Sequence, residues 1–212
     1  MQSRLDTLLV SFDTVYSGWI AWNLFLAAIP LVLSFWLYRR RSKVRSPLWW
    51  VVWVVYLAFL PNAPYVLTDI IHLIRGVRSV PSAFILSLIF IPLHISAILL
   101  GFEAYVVCLI NQSHYLKRLG AKQWVVWSEL ATHALCAIGI YLGRFLRLNS
   151  WDLVTDPKYI LLTTLNDLTS KFPLVVVTVT FLVLTALYWV MKQITLGLKL
   201  RFRYPDLVDS VE

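Results

Sequence analysis

A helix that crosses about 30 Å of hydrocarbon needs roughly 20 consecutive apolar residues, and this chain presents that pattern four times. Residues 18–38, 81–110, 124–145 and 173–194 each satisfy it. Residues 47–60 form a shorter apolar run that would rise only about 21 Å as a helix. A fifth crossing therefore has to continue through Pro61-Asn62-Ala63-Pro64, to about residue 67. The expected fold class is an all-α integral membrane protein: a single membrane domain over residues 1–212 with about five transmembrane helices, the second broken at the proline motif. Composition agrees, with 59% hydrophobic and 14% charged residues against about 45–50% and about 25% in soluble domains. Disorder and low-complexity character are excluded by the same figures. No internal repeat or pair of inverted halves is visible, although many secondary transporters have them.

Lysine and arginine are retained on the cytoplasmic side of short loops. Arg39, Arg40, Arg41, Lys43 and Arg45 fill the first loop, and Lys117, Arg118 and Lys122 the loop after the third span. Lys192, Lys199, Arg201 and Arg203 lie at and beyond the end of the fifth span. The opposite side carries the other seven basic residues, diluted by six aspartates. An extracytoplasmic N-terminus and a cytoplasmic C-terminus are expected. Each basic stretch abuts a span, so it marks topology rather than a nucleic-acid surface, and no nucleic-acid partner is expected. Trp19, Trp22, Trp36, Trp49, Trp50, Trp124 and Trp127 sit near span ends, where indoles suit the headgroup layer. Residues 1–10 lack a clear cleavage signal, and no lipidation motif is present, so the spans themselves are expected to anchor the chain. Cys108 and Cys136 fall in apolar runs and read as small hydrophobes.

Polar chemistry gathers at two places. In Leu60-Pro61-Asn62-Ala63-Pro64-Tyr65 the two prolines remove backbone donors and free carbonyls a turn earlier. Asn62 is expected to cap a new helix with Pro64 in its first turn. Freed backbone groups at membrane depth must be buried in protein or line a wet cavity. Tyr65, Thr68, Asp69 and His72 then share one helical face, with Asp69 and His72 close enough to pair. One reading makes this an amphipathic helix facing headgroups. The other makes Asn62, Tyr65, Asp69 and His72 a binding site whose N-terminal amides meet an anion. Asp69 and His72 are too few to define a metal site.

The fourth span carries the second pattern. Glu129, His133, Arg144 and Arg147 fall on one face at 100° per residue, bordered by Gly139 and Gly143 in a G-x-x-x-G that permits close helix contact. Trp127, Ala131, Leu135, Ile138, Leu142 and Phe145 lie opposite, on a surface expected to meet lipid. Ionisable residues inside a span usually turn inward. Glu129 could pair with His133 one turn away. Counting across the hairpin also brings Glu103 to its depth, as a carboxylate partner sharing a proton. Glu103 and His94 occupy opposite faces of the third span, and the isolated histidines His94 and His133 carry no haem signature. No cofactor is implied. Beyond the span, Asn149, Trp151 and Asp152 set polar groups beside an indole, close to two guanidinium forks suited to phosphate or carboxylate.

Two amphipathic stretches are expected to lie in the interface. Leu5, Leu8, Leu9, Phe12 and Tyr16 form one stripe. Asp156-Pro157 opens the other as N-cap and first helical residue, with Leu161, Leu165, Leu168 and Phe172 on its apolar face.

Phe59-Leu60-Pro61-Asn62-Ala63-Pro64-Tyr65 with Thr68-Asp69 and His72-Leu73, together with Gly143-Arg144, Arg147 and Asn149-Ser150-Trp151-Asp152, resemble a family of uncharacterised bacterial multi-pass membrane proteins, a domain of unknown function. The resemblance runs from the first hydrophobic run to the last. It implies a bacterial inner-membrane protein and no established activity.

Three functions follow from these patterns. Asn62, Tyr65, Asp69, His72, Arg144, Arg147, Asn149, Trp151 and Asp152 could hold an anionic lipid, a glycan precursor or a partner protein at the extracytoplasmic face. A small proton-coupled transporter could use Glu103, Glu129 and His133 as its proton path, and a homo-oligomer would enlarge so small a bundle. A membrane enzyme on lipid-linked substrates could use Asp69 and His72 as base and orienter, though no complete catalytic signature accompanies them.

Overall fold

In hydrocarbon a backbone N–H has no partner except a carbonyl of the protein itself, and this chain meets that constraint with helices. The computed structural model describes residues 19–40, 45–79, 83–148, 152–168 and 170–204, among which there is no strand. The first part of the chain forms α1 (Trp19–Arg39), α2 (Pro47–Phe59), a short α3 (Asn62–Tyr65), a 3₁₀ turn (Val66–Asp69) and α4 (Ile70–Ser79). Next, α5 (Ala83–Ile85) passes through a π-helical turn into α6 (Ile91–Arg118), and a short connection leads to α7 (Val125–Phe145). The small α8 (Asp152–Thr155) and α9 (Pro157–Leu168) precede α10 (Lys171–Arg203). Among the described residues five segments are long and apolar enough to cross a membrane, as the sequence predicts: Ile20–Arg39, Pro47–Val77, Ala83–Arg118, Lys122–Phe145 and Lys171–Arg203. Helices α6 and α10 outrun their apolar stretches, because the lysines, arginines and leucines that follow remain good helix formers outside hydrocarbon.

The core is built where α1, the second span and α6 meet, with α7 and α10 packed beside them. Tyr56, Leu60, Val66, Tyr105, Leu109, Cys108, Cys136 and Leu184 are buried there. The outward faces carry Trp22, Phe25, Val32, Leu99, Val179 and Leu182. Exposed apolar side chains in such numbers suit lipid and not water.

The break in the second span is milder than a new helix start. Leu60, Pro61 and Val66 all keep right-handed helical dihedrals, so the chain continues in the same sense while its hydrogen bonding changes. Pro64 has no N–H for the Leu60 carbonyl, which accepts instead from Ala63 N at 3.2 Å. That shift strands the Phe59 carbonyl, and Asn62 Nδ2 donates to it at 2.9 Å. Asn62 is thus the first residue of α3 and not its cap, which is Pro61. One turn on, Thr68 Oγ1 donates to the Tyr65 carbonyl at 2.7 Å, where the 3₁₀ turn begins. Side chains replace the backbone donors that the prolines and the tighter turn withdraw.

The G-x-x-x-G of α7 receives this segment. A Cβ on Gly139 would stand 2.6 Å from the Pro61 ring, and one on Gly143 would stand 3.2 Å from the Tyr65 ring. Helix α7 is capped by Leu146, Arg147 just beyond it has φ 56°, and Leu148 N–H turns back to the Leu142 carbonyl at 3.2 Å. Asp156 performs its predicted capping role, accepting from Tyr159 N at 3.1 Å at the start of α9. Phe172 belongs to α10 and packs against Phe145, with ring centroids 5.8 Å apart. The predicted stripe over residues 5–16 lies outside the described residues, as do the Leu161, Leu165 and Leu168 side chains.

Candidate ligand cleft at the proline break

A cavity of about 460 Å³ opens where the break meets α1 and α7. Its polar wall includes Asn23, Asn62, Tyr65 and Arg147, and Leu26, Leu57, Leu135, Ile138 and Leu142 make its apolar wall. Gly139 and Gly143 keep one side low, and Ile160 of α9 reaches it from the far side. Leu135, Ile138 and Leu142 were expected to face lipid. They line the cavity because α3 occupies only the glycine edge of α7 and leaves the neighbouring face uncovered.

Two of its apolar residues bring polar backbone. Pro30 lies inside α1 and Pro61 ends α2, so neither supplies the N–H that a helix would direct at the carbonyl four residues earlier. Those carbonyls belong to Leu26 and Leu57, both on the cavity wall. The lining therefore combines a guanidinium, a phenol and amides with two residues whose carbonyls lack their usual helical donor.

Asp69 lies beside this cavity and not in it. It is 1% exposed and accepts from Asn23 Nδ2 at 2.8 Å, which ties the second span to α1. Arg144 is within electrostatic range of both Asp69 and His72, so it joins the two sequence motifs, while Arg147 is the arginine that reaches the cleft. The left-handed residue at the end of α7 separates the two guanidinia that the helical wheel had placed together. Asp152 begins α8, and Asn149 and Trp151 lie outside the described residues. Asn23 was missed by the sequence reading. A polar residue inside the first apolar run was its only signal.

The expected Glu103, Glu129 and His133 constellation is differently connected. Glu129 Oε1 accepts from Ser113 Oγ at 2.6 Å, Tyr188 OH at 2.7 Å and Lys192 Nζ at 2.5 Å. His133 Nδ1 is hydrogen-bonded to Tyr105 OH at 2.5 Å instead of to Glu129. Glu103 accepts from Thr195 Oγ1 at 2.8 Å, a partner separate from the three donors of Glu129. Lys192 explains the change: read from sequence as a tail charge, it reaches back into the bundle and pairs with the acid. His94 is buried, with its Nδ1 and the Phe90 carbonyl 2.8 Å apart. No group of three or more His, Cys, Asp or Glu placed to hold a metal occurs among the described residues.

Five membrane-length helices, a proline-interrupted second span and a polar cleft at that interruption define an α-helical multi-pass membrane protein. The chain belongs to the family described as protein of unknown function (DUF1361), whose model matches residues 22–186 and so covers both motifs and the whole cleft. No curated protein and no solved structure gives a significant match.

Proposed function

We propose that this protein binds an anionic, hydroxyl-bearing ligand, a lipid headgroup or a glycan precursor, in the cleft at the proline break. The carrying observation is that Arg147 lines one cavity together with Leu26 and Leu57, the two residues whose carbonyls lose their usual helical donor at Pro30 and Pro61. A guanidinium fork takes a phosphate or carboxylate in two parallel bonds. Released carbonyls and the amides of Asn23 and Asn62 suit hydroxyls, and the leucine wall suits an attached chain or a sugar face. A ligand of this kind meets acceptors that lipid tails leave unpaired, which supplies a reason for the site at membrane depth. The lysine and arginine bias would turn this cleft away from the cytoplasm, in a bacterial inner membrane.

Native mass spectrometry of the mildly solubilised full-length protein tests this reading. Wild type should carry a phosphate- or carboxylate-bearing adduct that Arg147→Ala loses while its monomer peak persists. An adduct retained equally by Arg147→Ala, or a wild type that flies empty, would remove the cleft from consideration.

A further inference from the structure

At the opposite end of the bundle, where α1 and α6 finish and α2 begins, several cations are held in fixed places. Arg45 Nε donates to Tyr115 OH at 3.0 Å, and its guanidinium lies 5.1 Å from the Trp49 ring centroid and 5.6 Å from that of Tyr115. Arg118 stands 5.7 Å from the same Tyr115 centroid and donates to the Tyr38 carbonyl. Trp49 is itself fixed, its Nε1 donating to the Leu37 carbonyl at 3.3 Å. Arg39 lies nearby, with Nε donating to Asn111 Oδ1 at 2.7 Å. Two guanidinia gathered on one ring repel each other unless an anion sits with them. Among the described residues the carboxylates of this half, Glu103 and Glu129, are committed to Thr195 and Lys192. The remaining carboxylates described, Asp69, Asp152 and Asp156, belong to the cleft end.

We propose that Arg45 and Arg118, arranged around Tyr115, hold the phosphate of an anionic phospholipid. With Nε engaged by Tyr115, the two Nη groups of Arg45 remain to meet phosphate oxygens as a fork. The surrounding surface selects a lipid over soluble phosphate. Leu48, Val51 and Val55 are exposed at i, i+3 and i+7 on α2, forming an apolar track that leads from Arg45 into the hydrocarbon region. Trp49 and Trp50 mark the headgroup level beside it. The phosphate would rest on the arginines and the acyl chains would follow α2.

The test is a competition. Full-length protein in mild detergent is offered equimolar phosphatidylglycerol and phosphatidylcholine, and the ratio of the two bound lipids is read by native mass spectrometry. Wild type should favour phosphatidylglycerol, and Arg45→Gln should lower that preference about 10-fold, as the loss of one charge-assisted hydrogen bond to phosphate would. Tyr115→Phe keeps the charge and the ring but releases Nε, and it should lower the preference as well. Lys199→Gln removes an equal charge from the same half and should leave the preference at the wild-type value. An unchanged ratio in Arg45→Gln or Tyr115→Phe, or an equal drop in Lys199→Gln, overturns the site in favour of diffuse attraction. Displacement of phosphatidylglycerol by excess inorganic phosphate overturns the lipid assignment.

Discussion

Arg147 holds a backbone conformation that L-residues other than glycine rarely adopt. The cost of a left-handed residue is about 1 kcal/mol, and at this position it accompanies a guanidinium on a cavity wall. Arg147→Gly should therefore raise thermal stability in detergent by about that amount while abolishing retention of the cleft ligand, a split that thermal unfolding and native mass spectrometry read separately. A variant that lost stability instead would show that the side chain holds the end of α7. Glu129 behaves in the opposite way, because three donors converge on one of its oxygens. Glu129→Gln should cost about 1–3 kcal/mol by leaving the Lys192 ammonium without its counter-charge, and adding Lys192→Met should return most of that stability. Burial of Glu129 and His133 was legible in the sequence, since an ionisable group in an apolar run has to turn inward, whereas the pattern around Asp69 fitted a headgroup-facing helix as well as a buried site. The partners of Glu129 and His133 were not legible. Contacts between helices depend on axial rotation and tilt, and a helical wheel of α7 contains neither Ser113 nor Tyr188 nor Lys192.

Helix contact at the break is set by glycine. Gly139→Ala would drive a methyl group against the rigid Pro61 ring and should destabilise the protein by about 1–3 kcal/mol. Gly143→Ala meets the edge of the Tyr65 ring at 3.2 Å and should cost less. Nothing lies within 4 Å of Gly197, so alanine there should stabilise α10 by about 0.5–1 kcal/mol. Thermal unfolding of the three variants should rank them in that order, and a Gly139→Ala protein as stable as wild type would dissolve the close contact between α7 and Pro61. Five crossings and an interruption at the prolines were legible because apolar length and missing donors are written directly in the residues. The form of the interruption was less so. An Asn before a Pro can cap a new helix or return to a carbonyl behind it, and the choice fell to the second because Ala63 N had already moved to Leu60.

Both cysteines are buried at the centre of the bundle, Cys108 on α6 and Cys136 on α7. A maleimide should leave both thiols unmodified in the folded protein and label both after denaturation in SDS, which makes them an internal reporter for every variant named above. Labelling of either thiol before denaturation would mean that the core opens to solvent. The bundle holds α10 along a seam of Pro173, Leu184 and Tyr188, flanked by the partly buried Val177, Phe181, Met191 and Leu196 and fastened by Lys192 to Glu129 and Thr195 to Glu103. Its 33 residues extend about 50 Å, more than the hydrocarbon layer requires, so α10 must tilt or project beyond it. Across the molecule, the wall of the cleft needs no occupant to give it shape. Asn62 and Thr68 have already taken up the Phe59 and Tyr65 carbonyls, so no helix has to unwind when a ligand arrives. Entry should then proceed at the rate of encounter with a rigid surface, and differences among ligands should be expressed in how long each one stays.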